Sequence, residues 1–150
     1  MASAEEKKQA WKDELDEIAA EHDGILRAED VVNFAKNEDT ALHEKFTWDD
    51  TEAAHQYRLW EARELISVSV VMLPGANGNG VKAFVSLKDD RTQTGGGYRS
   101  VVSVLNNAKM RAALLREALE EFDAWGQKYN SLKELSRIFT ARKRINKRAS

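Results

Sequence analysis

A chain of 150 residues with 42% hydrophobic residues and four tryptophans can bury a core of its own, which excludes general disorder. It has no cysteine, so disulfides and thiolate metal sites are excluded, and a reducing cytoplasm is the expected location. The first fifty residues hold 6 Lys/Arg and 15 Asp/Glu, whereas the last fifty hold 11 Lys/Arg and 5 Asp/Glu. This charge asymmetry suits a basic end that binds nucleic acid or a head-to-tail association of copies. Alternatively, the acidic and basic ends neutralise each other within one chain.

Residues 1–24 are predicted to form an acidic amphipathic helix that extends from the main domain. Ser3-Ala4-Glu5-Glu6 matches a capping box, and Gly24 is a typical C-terminal stop. An apolar seam recurs at i, i+4 and i+7, formed by Trp11, Leu15 and Ile18. Such a narrow seam packs on one partner, so these residues either dock on the same chain or form a partner-binding surface on a second subunit.

Residues 25–140 are predicted to form a single domain that begins with helices. A helix over residues 27–36 and a short one holding Leu42 and Phe46 precede a central helix that starts near Asp50. Asp49-Asp50-Thr51-Glu52 matches a capping box for that central helix. The helix has two apolar stripes, which predict that both of its sides are covered: Ala53, Tyr57, Trp60 on one side and Leu59, Ala62, Ile66 on the other.

Three strands are predicted after the central helix. Residues 66–73 and 81–88 alternate apolar and polar side chains around the loop 74–80, which indicates a β-hairpin, and residues 98–105 follow as a third strand. Two helices complete the chain, the first with an apolar seam from Leu115 to Tyr129 and the second opening at Ser131. The predicted fold class is therefore α+β, with a helical N-terminal part, a three-stranded antiparallel meander and two C-terminal helices.

The element order over residues 25–88 is also that of a winged helix. In such a module the third helix enters the major groove of DNA and the loop of the hairpin contacts the DNA backbone or the minor groove. Arg58 and Arg63 on the central helix, together with Lys82 beside the hairpin, are then candidate DNA contacts. Acidic residues on the same helix would repel phosphates, so a structural helix held between core layers is the favoured alternative. Arg99 is a further candidate contact. It follows a glycine-rich segment that forms either an anion-binding loop or an ordinary hairpin loop, of which the hairpin loop is favoured.

The basic end is the stronger electrostatic candidate for nucleic-acid binding. Residues 141–150 are predicted to be a basic tail or helix end, and the strip of candidate contacts comprises Arg137, Arg142, Lys143, Arg144, Lys147 and Arg148. Neutralising phosphates releases counterions, so such a strip would bind DNA in a salt-sensitive and sequence-independent way.

No motif indicates catalysis or a bound cofactor. His43, His55, Asp49 and Asp50 match no metal-ligand spacing, and no serine lies in a nucleophile elbow. No apolar run approaches the roughly 20 residues of a membrane span. We therefore expect no enzyme activity, no metal, no cofactor and no membrane partner.

A pattern of residues within roughly residues 25–140 comprises Leu42-His43, Phe46, Trp48-Asp49-Asp50, Ala53-Ala54, Tyr57-Arg58, Ala62-Arg63 and Gly96-Gly97-Tyr98-Arg99. In this pattern the sequence resembles a family of small uncharacterised bacteriophage and prophage proteins. The resemblance implies a phage origin and carries over no activity. Small phage proteins of this kind often act on DNA or assemble with other proteins.

These observations predict a non-enzymatic nucleic-acid-binding protein of the phage type, for which DNA is the expected ligand before RNA and which forms a homo-oligomer. It would bind through the basic C-terminal strip, with the winged-helix-like hairpin as a second contact. The alternative is a protein–protein assembly factor that docks through its first helix.

Overall fold

The chain divides into two units, Met1–Ala108 (unit 1) and Lys109–Ser150 (unit 2), in a computed structural model that describes residues 1–48, 51–75 and 78–146. The sequence predicts divisions after residues 24 and 140. The helices and strands of unit 1 are α1 (Ala4–Glu21), α2 (Ala28–Ala35), a 3₁₀ turn (His43–Lys45), α3 (Glu52–Val68), β1 (Val70–Met72), β2 (Gly80–Lys82), β3 (Phe84–Val85), α4 (Lys88–Arg91), β4 (Arg99–Ser100) and α5 (Val101–Asn106). Then come α6 (Ala108–Lys128), a 3₁₀ turn (Lys133–Leu135) and α7 (Ser136–Asn146).

The first helix starts and stops where its sequence predicts. The Glu6 N–H donates to Ser3 Oγ at 3.2 Å and the Ser3 N–H donates to the Glu6 carboxylate at 2.7 Å, which confirms the capping box. At the other end, the Gly24 N–H donates to the Ala19 carbonyl at 2.7 Å. Gly24 has a φ of +80°, a conformation that glycine adopts without strain.

The apolar seam of α1 belongs to the core of unit 1. Trp11, Leu15 and Ile18 are all buried, in a cluster that also holds residues of α2 such as Val31 and Val32. The seam therefore packs against other residues of the same chain. The prediction that these three residues form a partner-binding surface is corrected, because burial in the core leaves them no access to a second protein.

A carboxylate of α1 also holds a distant turn of the backbone. The two Glu14 oxygens accept hydrogen bonds from the backbone N–H groups of Ala41, at 2.7 Å, and Leu42, at 2.8 Å. Those donors lie just before the 3₁₀ turn and have no helical partner of their own. Glu14 therefore fixes the segment between α2 and α3 against α1.

We expect Glu14→Ala to lower the free energy of unfolding by about 2 kcal/mol, since it removes two charge-assisted hydrogen bonds from part-buried donors. Urea denaturation followed by far-ultraviolet circular dichroism measures the loss. Glu17→Ala is the matched control, because Glu17 lies on the same helix and is exposed. Equal stabilities of the two variants would contradict the role given to Glu14.

Helix α3 begins later and ends later than the sequence predicts. Its N-cap is Thr51, whose hydroxyl accepts from the Ala54 N–H at 3.1 Å, while Asp49 and Asp50 lie outside the described residues. It continues to Val68, through the first residues of the predicted strand 66–73. Ile66 explains the extension, because it lies one helical turn beyond Ala62 on the buried face.

Only one of the two apolar stripes of α3 is covered within the described structure. Ala62 and Ile66 are buried, whereas Tyr57 and Trp60 are 52% and 51% exposed and stack on each other with their ring centroids 5.6 Å apart. The prediction that both sides of this helix are covered is therefore wrong.

The α+β class is confirmed, but the described strands form two small sheets in place of one meander. β1 pairs antiparallel with β2, which confirms the predicted hairpin, and β3 pairs antiparallel with β4. Ala83 separates β2 from β3. The predicted third strand turns into α5 at Val101, because Val101 and Val104 are buried at the i, i+3 spacing of a helix.

Unit 2 contains a helical pair in which Phe139 of α7 meets α6. The Phe139 ring lies 6.3 Å from the rings of both Phe122 and Trp125, measured between centroids. Gly126 makes this approach possible, since a Cβ there would lie 3.1 Å from the Phe139 ring. Among the described residues of unit 2, Gly126 alone is buried.

Candidate nucleic-acid interface

Exposed arginines line one side of α7. Arg137 and Arg144 lie one heptad apart, and with Thr140 and Ala141 they border an open groove of about 270 Å³. At 100° per residue these four residues lie on the side of α7 away from Phe139, which faces α6. We call them the α7 basic face.

The charges of the α7 basic face are available to an anion. Arg137 and Arg144 are exposed, and so is Lys143, which lies one helical turn after Phe139 and outside the face. Within residues 1–48, 51–75 and 78–146, none of the three makes an ion pair or a side-chain hydrogen bond. Lys147 and Arg148, the remaining members of the predicted strip, lie outside the described residues.

Arg142 has a structural role, and the prediction that it contacts nucleic acid is corrected. Its Nε donates to Asp123 Oδ1 at 2.8 Å and its Nη2 donates to Asp123 Oδ2 at 2.7 Å, a bidentate pair that ties α7 to α6. The Arg142 side chain is largely covered. Its charge is thus neutralised by Asp123 within the helical pair of α6 and α7, and it does not add to the α7 basic face.

Arg58 is likewise corrected, because it points into unit 1 and is only 8% exposed. Its Nη1 donates to the Thr47 carbonyl at 3.2 Å, and its guanidinium lies 5.3 Å from the centroid of the Trp48 ring. A cation over an indole face is attracted by the ring quadrupole. Arg58 therefore anchors the segment before α3 and cannot read DNA from that helix.

Arg99 is the third correction among the predicted contacts. Its guanidinium donates to both oxygens of Asp90, with Nε 2.9 Å from Oδ2 and Nη2 2.8 Å from Oδ1. The Asp90 side chain is 6% exposed and that of Arg99 is 18% exposed, so the pair is largely removed from water. It joins α4 to β4 across the glycine-rich turn.

Arg63 and Lys82 remain exposed in unit 1, as the sequence predicts. Arg63 borders an open cavity of about 270 Å³ that also touches Arg91 and the glycine turn 95–97. Positive φ angles at Gly95 and Gly96 suit the tight connection between α4 and β4. The turn therefore has a structural reason for its glycines, and two guanidiniums at the cavity give it a positive rim.

His43, one of the two histidines considered for metal binding, is held by backbone and aromatic contacts. His43 Nδ1 lies 2.8 Å from the Ala35 carbonyl, which can only accept, so this ring nitrogen donates. The ring stacks on Trp48 with the centroids 4.9 Å apart. In the described part of the chain, no three metal-ligating side chains lie together.

Sequence reasoning missed Glu14 and Asp90. Asp90 was part of a polar loop in the sequence, yet it lies nine residues before Arg99, with glycines between that allow the chain to turn back. That juxtaposition was the only signal for the pair. Glu14 gave no signal, because its partners are backbone groups far along the chain.

No helix within the described ranges has both the length and the apolar character that a bilayer span requires. No protein-family model, curated protein or solved structure matches this chain.

Proposed function

We propose that this chain is a non-enzymatic protein that binds the backbone of nucleic acid through the α7 basic face. The observation that carries the proposal is the placement of Arg137 and Arg144, exposed and without an ion-pair partner in the described structure, on one side of a helix. Guanidinium groups bind phosphate with bidentate geometry. A phage origin, which rests on the resemblance of the sequence, is part of the same proposal.

Helix geometry supports duplex DNA as the ligand. Seven residues of α-helix advance about 10 Å along the axis, which places the Cα atoms of Arg137 and Arg144 that far apart. Along one strand of B-form DNA the phosphates recur at a regular rise of about 3.4 Å per base along the helix axis, whereas the phosphates of a flexible single strand have no fixed spacing. A rigid pair of this spacing suits a regular backbone better than a flexible single strand.

We expect Arg137→Ala/Arg144→Ala to weaken binding to a 20-base-pair duplex by ~10-fold or more at low salt. Because each arginine contributes about one phosphate contact, the slope of log K against log salt should become shallower by about 2. Fluorescence anisotropy across a salt series measures both quantities. Circular dichroism should be unchanged, since neither side chain makes an ion pair or hydrogen bond in the described structure.

The matched control is Lys7→Ala/Lys8→Ala, which also removes two positive charges, in this case from exposed positions on α1. Point substitutions test the face better than removal of residues 141–150, because that truncation also removes the Arg142 pair with Asp123. Equal losses in the two double variants, or no binding by the intact chain, would overturn the proposal. Binding of single-stranded RNA but not of the duplex would retain backbone binding and reject DNA as the ligand.

A further inference from the structure

One side of the helical pair in unit 2 is apolar and uncovered. Trp125 of α6 is 43% exposed, and Ile138 and Ile145 of α7 are 47% and 38% exposed. At 100° per residue, in a pair of antiparallel helices that meet at Phe139, these three residues lie on the same side. Unit 2 spans 42 residues, from 109 to 150, a size at which small helical units commonly gain stability by oligomerisation.

The residues of α6 on that side follow a heptad spacing. They recur at intervals of three, four, three and four, and we call them the α6 seam: Arg111, Leu114, Ala118, Glu121 and Trp125. Apart from the half-buried Leu114, all of them are exposed. Alternating intervals of three and four produce the narrow stripe along which two helices pack knobs into holes.

The charges of the α6 seam favour an antiparallel pairing with the α6 helix of a second copy of this chain. Arg111 lies near the start of α6 and Glu121 lies two turns before the end. A parallel pairing of two α6 helices would bring each charge against its own copy and repel. An antiparallel pairing brings Arg111 against Glu121 of the partner subunit, twice by symmetry, so the seam is complementary to itself.

We propose that unit 2 forms a two-fold dimer through the α6 seam, with the two α6 helices antiparallel and centred on residue 116. A single register satisfies every pair: positions 111 and 121 are equally distant from 116, and so are positions 114 and 118. Leu114 therefore packs on Ala118 of the partner subunit. Arg116 itself lies on the opposite side of the helix and meets no copy of itself.

The same register places Trp125 at the N-terminal end of the partner subunit's α6. Each indole then covers one end of the seam, and Ile138 and Ile145 extend the apolar contact from the flanking helix. The result is a four-helix arrangement in which apolar surface that the chain leaves exposed becomes buried. This assembly is independent of the α7 basic face, which lies on another side of α7.

Charge reversal tests the register. We expect Arg111→Glu alone and Glu121→Arg alone each to raise the dissociation constant of the dimer at least about 10-fold, because each substitution creates two repulsive pairs in a two-fold dimer. The double variant Arg111→Glu/Glu121→Arg should return to within about threefold of the original value. Sedimentation velocity over a concentration series measures these constants.

Mixing the two single variants supplies the decisive control against misfolding. In the mixed dimer, the glutamate introduced at position 111 faces the arginine introduced at position 121, and the unchanged Arg111 and Glu121 face each other at the second contact. The dimer should therefore re-form without any further change in either chain. Glu120→Arg makes the same charge change as Glu121→Arg on a different side of α6, and it should leave the dissociation constant of the dimer unaltered. A monomeric original chain, single variants that dimerise normally, or a mixture that stays monomeric would each overturn the proposal.

Discussion

Replacing Asp90 with alanine should lower the free energy of unfolding by about 3 kcal/mol or more, the usual cost of breaking a largely buried ion pair by removing one partner. The substitution leaves the Arg99 guanidinium, which is 18% exposed, without the carboxylate that accepts three of its hydrogen bonds. Urea denaturation followed by circular dichroism at constant pH gives the value.

Asp89→Ala is the control for that experiment, since Asp89 is exposed on the same short helix and carries the same charge. We expect it to change the free energy of unfolding by less than about 0.5 kcal/mol. The double variant Asp90→Leu/Arg99→Met should recover much of the loss, because apolar groups of similar size can replace a buried pair. If Asp90→Ala were as stable as Asp89→Ala, the ion pair would not hold α4 to β4.

Leu15→Ala should lower the free energy of unfolding by about 3 to 5 kcal/mol. Leu15 is fully buried between α1 and the rest of the core, so truncation removes apolar contacts and leaves a cavity. Thermal unfolding followed by circular dichroism at 222 nm should show a lower midpoint. The exposed Gln9 offers a control on the same helix, where Gln9→Ala is expected to have a small effect.

The Leu15 experiment also separates the two roles that the sequence allowed for α1. A core residue changes stability and leaves the association constant of the folded protein unaltered. A docking residue would do the reverse, weakening association while the folded chain kept its stability. The burial of Trp11 and Ile18 beside Leu15 predicts the first result.

Local chemistry made the ends of α1 predictable, because a capping box and a terminal glycine depend on neighbours within a few residues. The hairpin of β1 and β2 was predictable for the same reason. Ile66, Val101 and Val104 were misassigned because β-branched residues favour strands in general, whereas here burial at helical spacing decided the structure. Propensity is a weak prior when tertiary packing opposes it.

The candidate site was predictable only as a set of charges. Sequence shows how many arginines the chain has but not which of them find carboxylates or carbonyls after folding. Arg58, Arg99 and Arg142 have such partners, and those partners lie between 9 and 19 residues away. Arg137 and Arg144 kept their predicted role as candidates because the fold leaves them on the outer side of α7.

The Glu14 contact has a consequence for how relatives of this chain would vary. Its carboxylate binds the backbone N–H groups of Ala41 and Leu42, and every residue except proline supplies such a donor. Substitution at position 41 therefore need not be matched by a change at position 14. Pairwise covariation between the two positions would be weak although they touch, and the contact would register in an alignment only as an acidic residue retained at position 14.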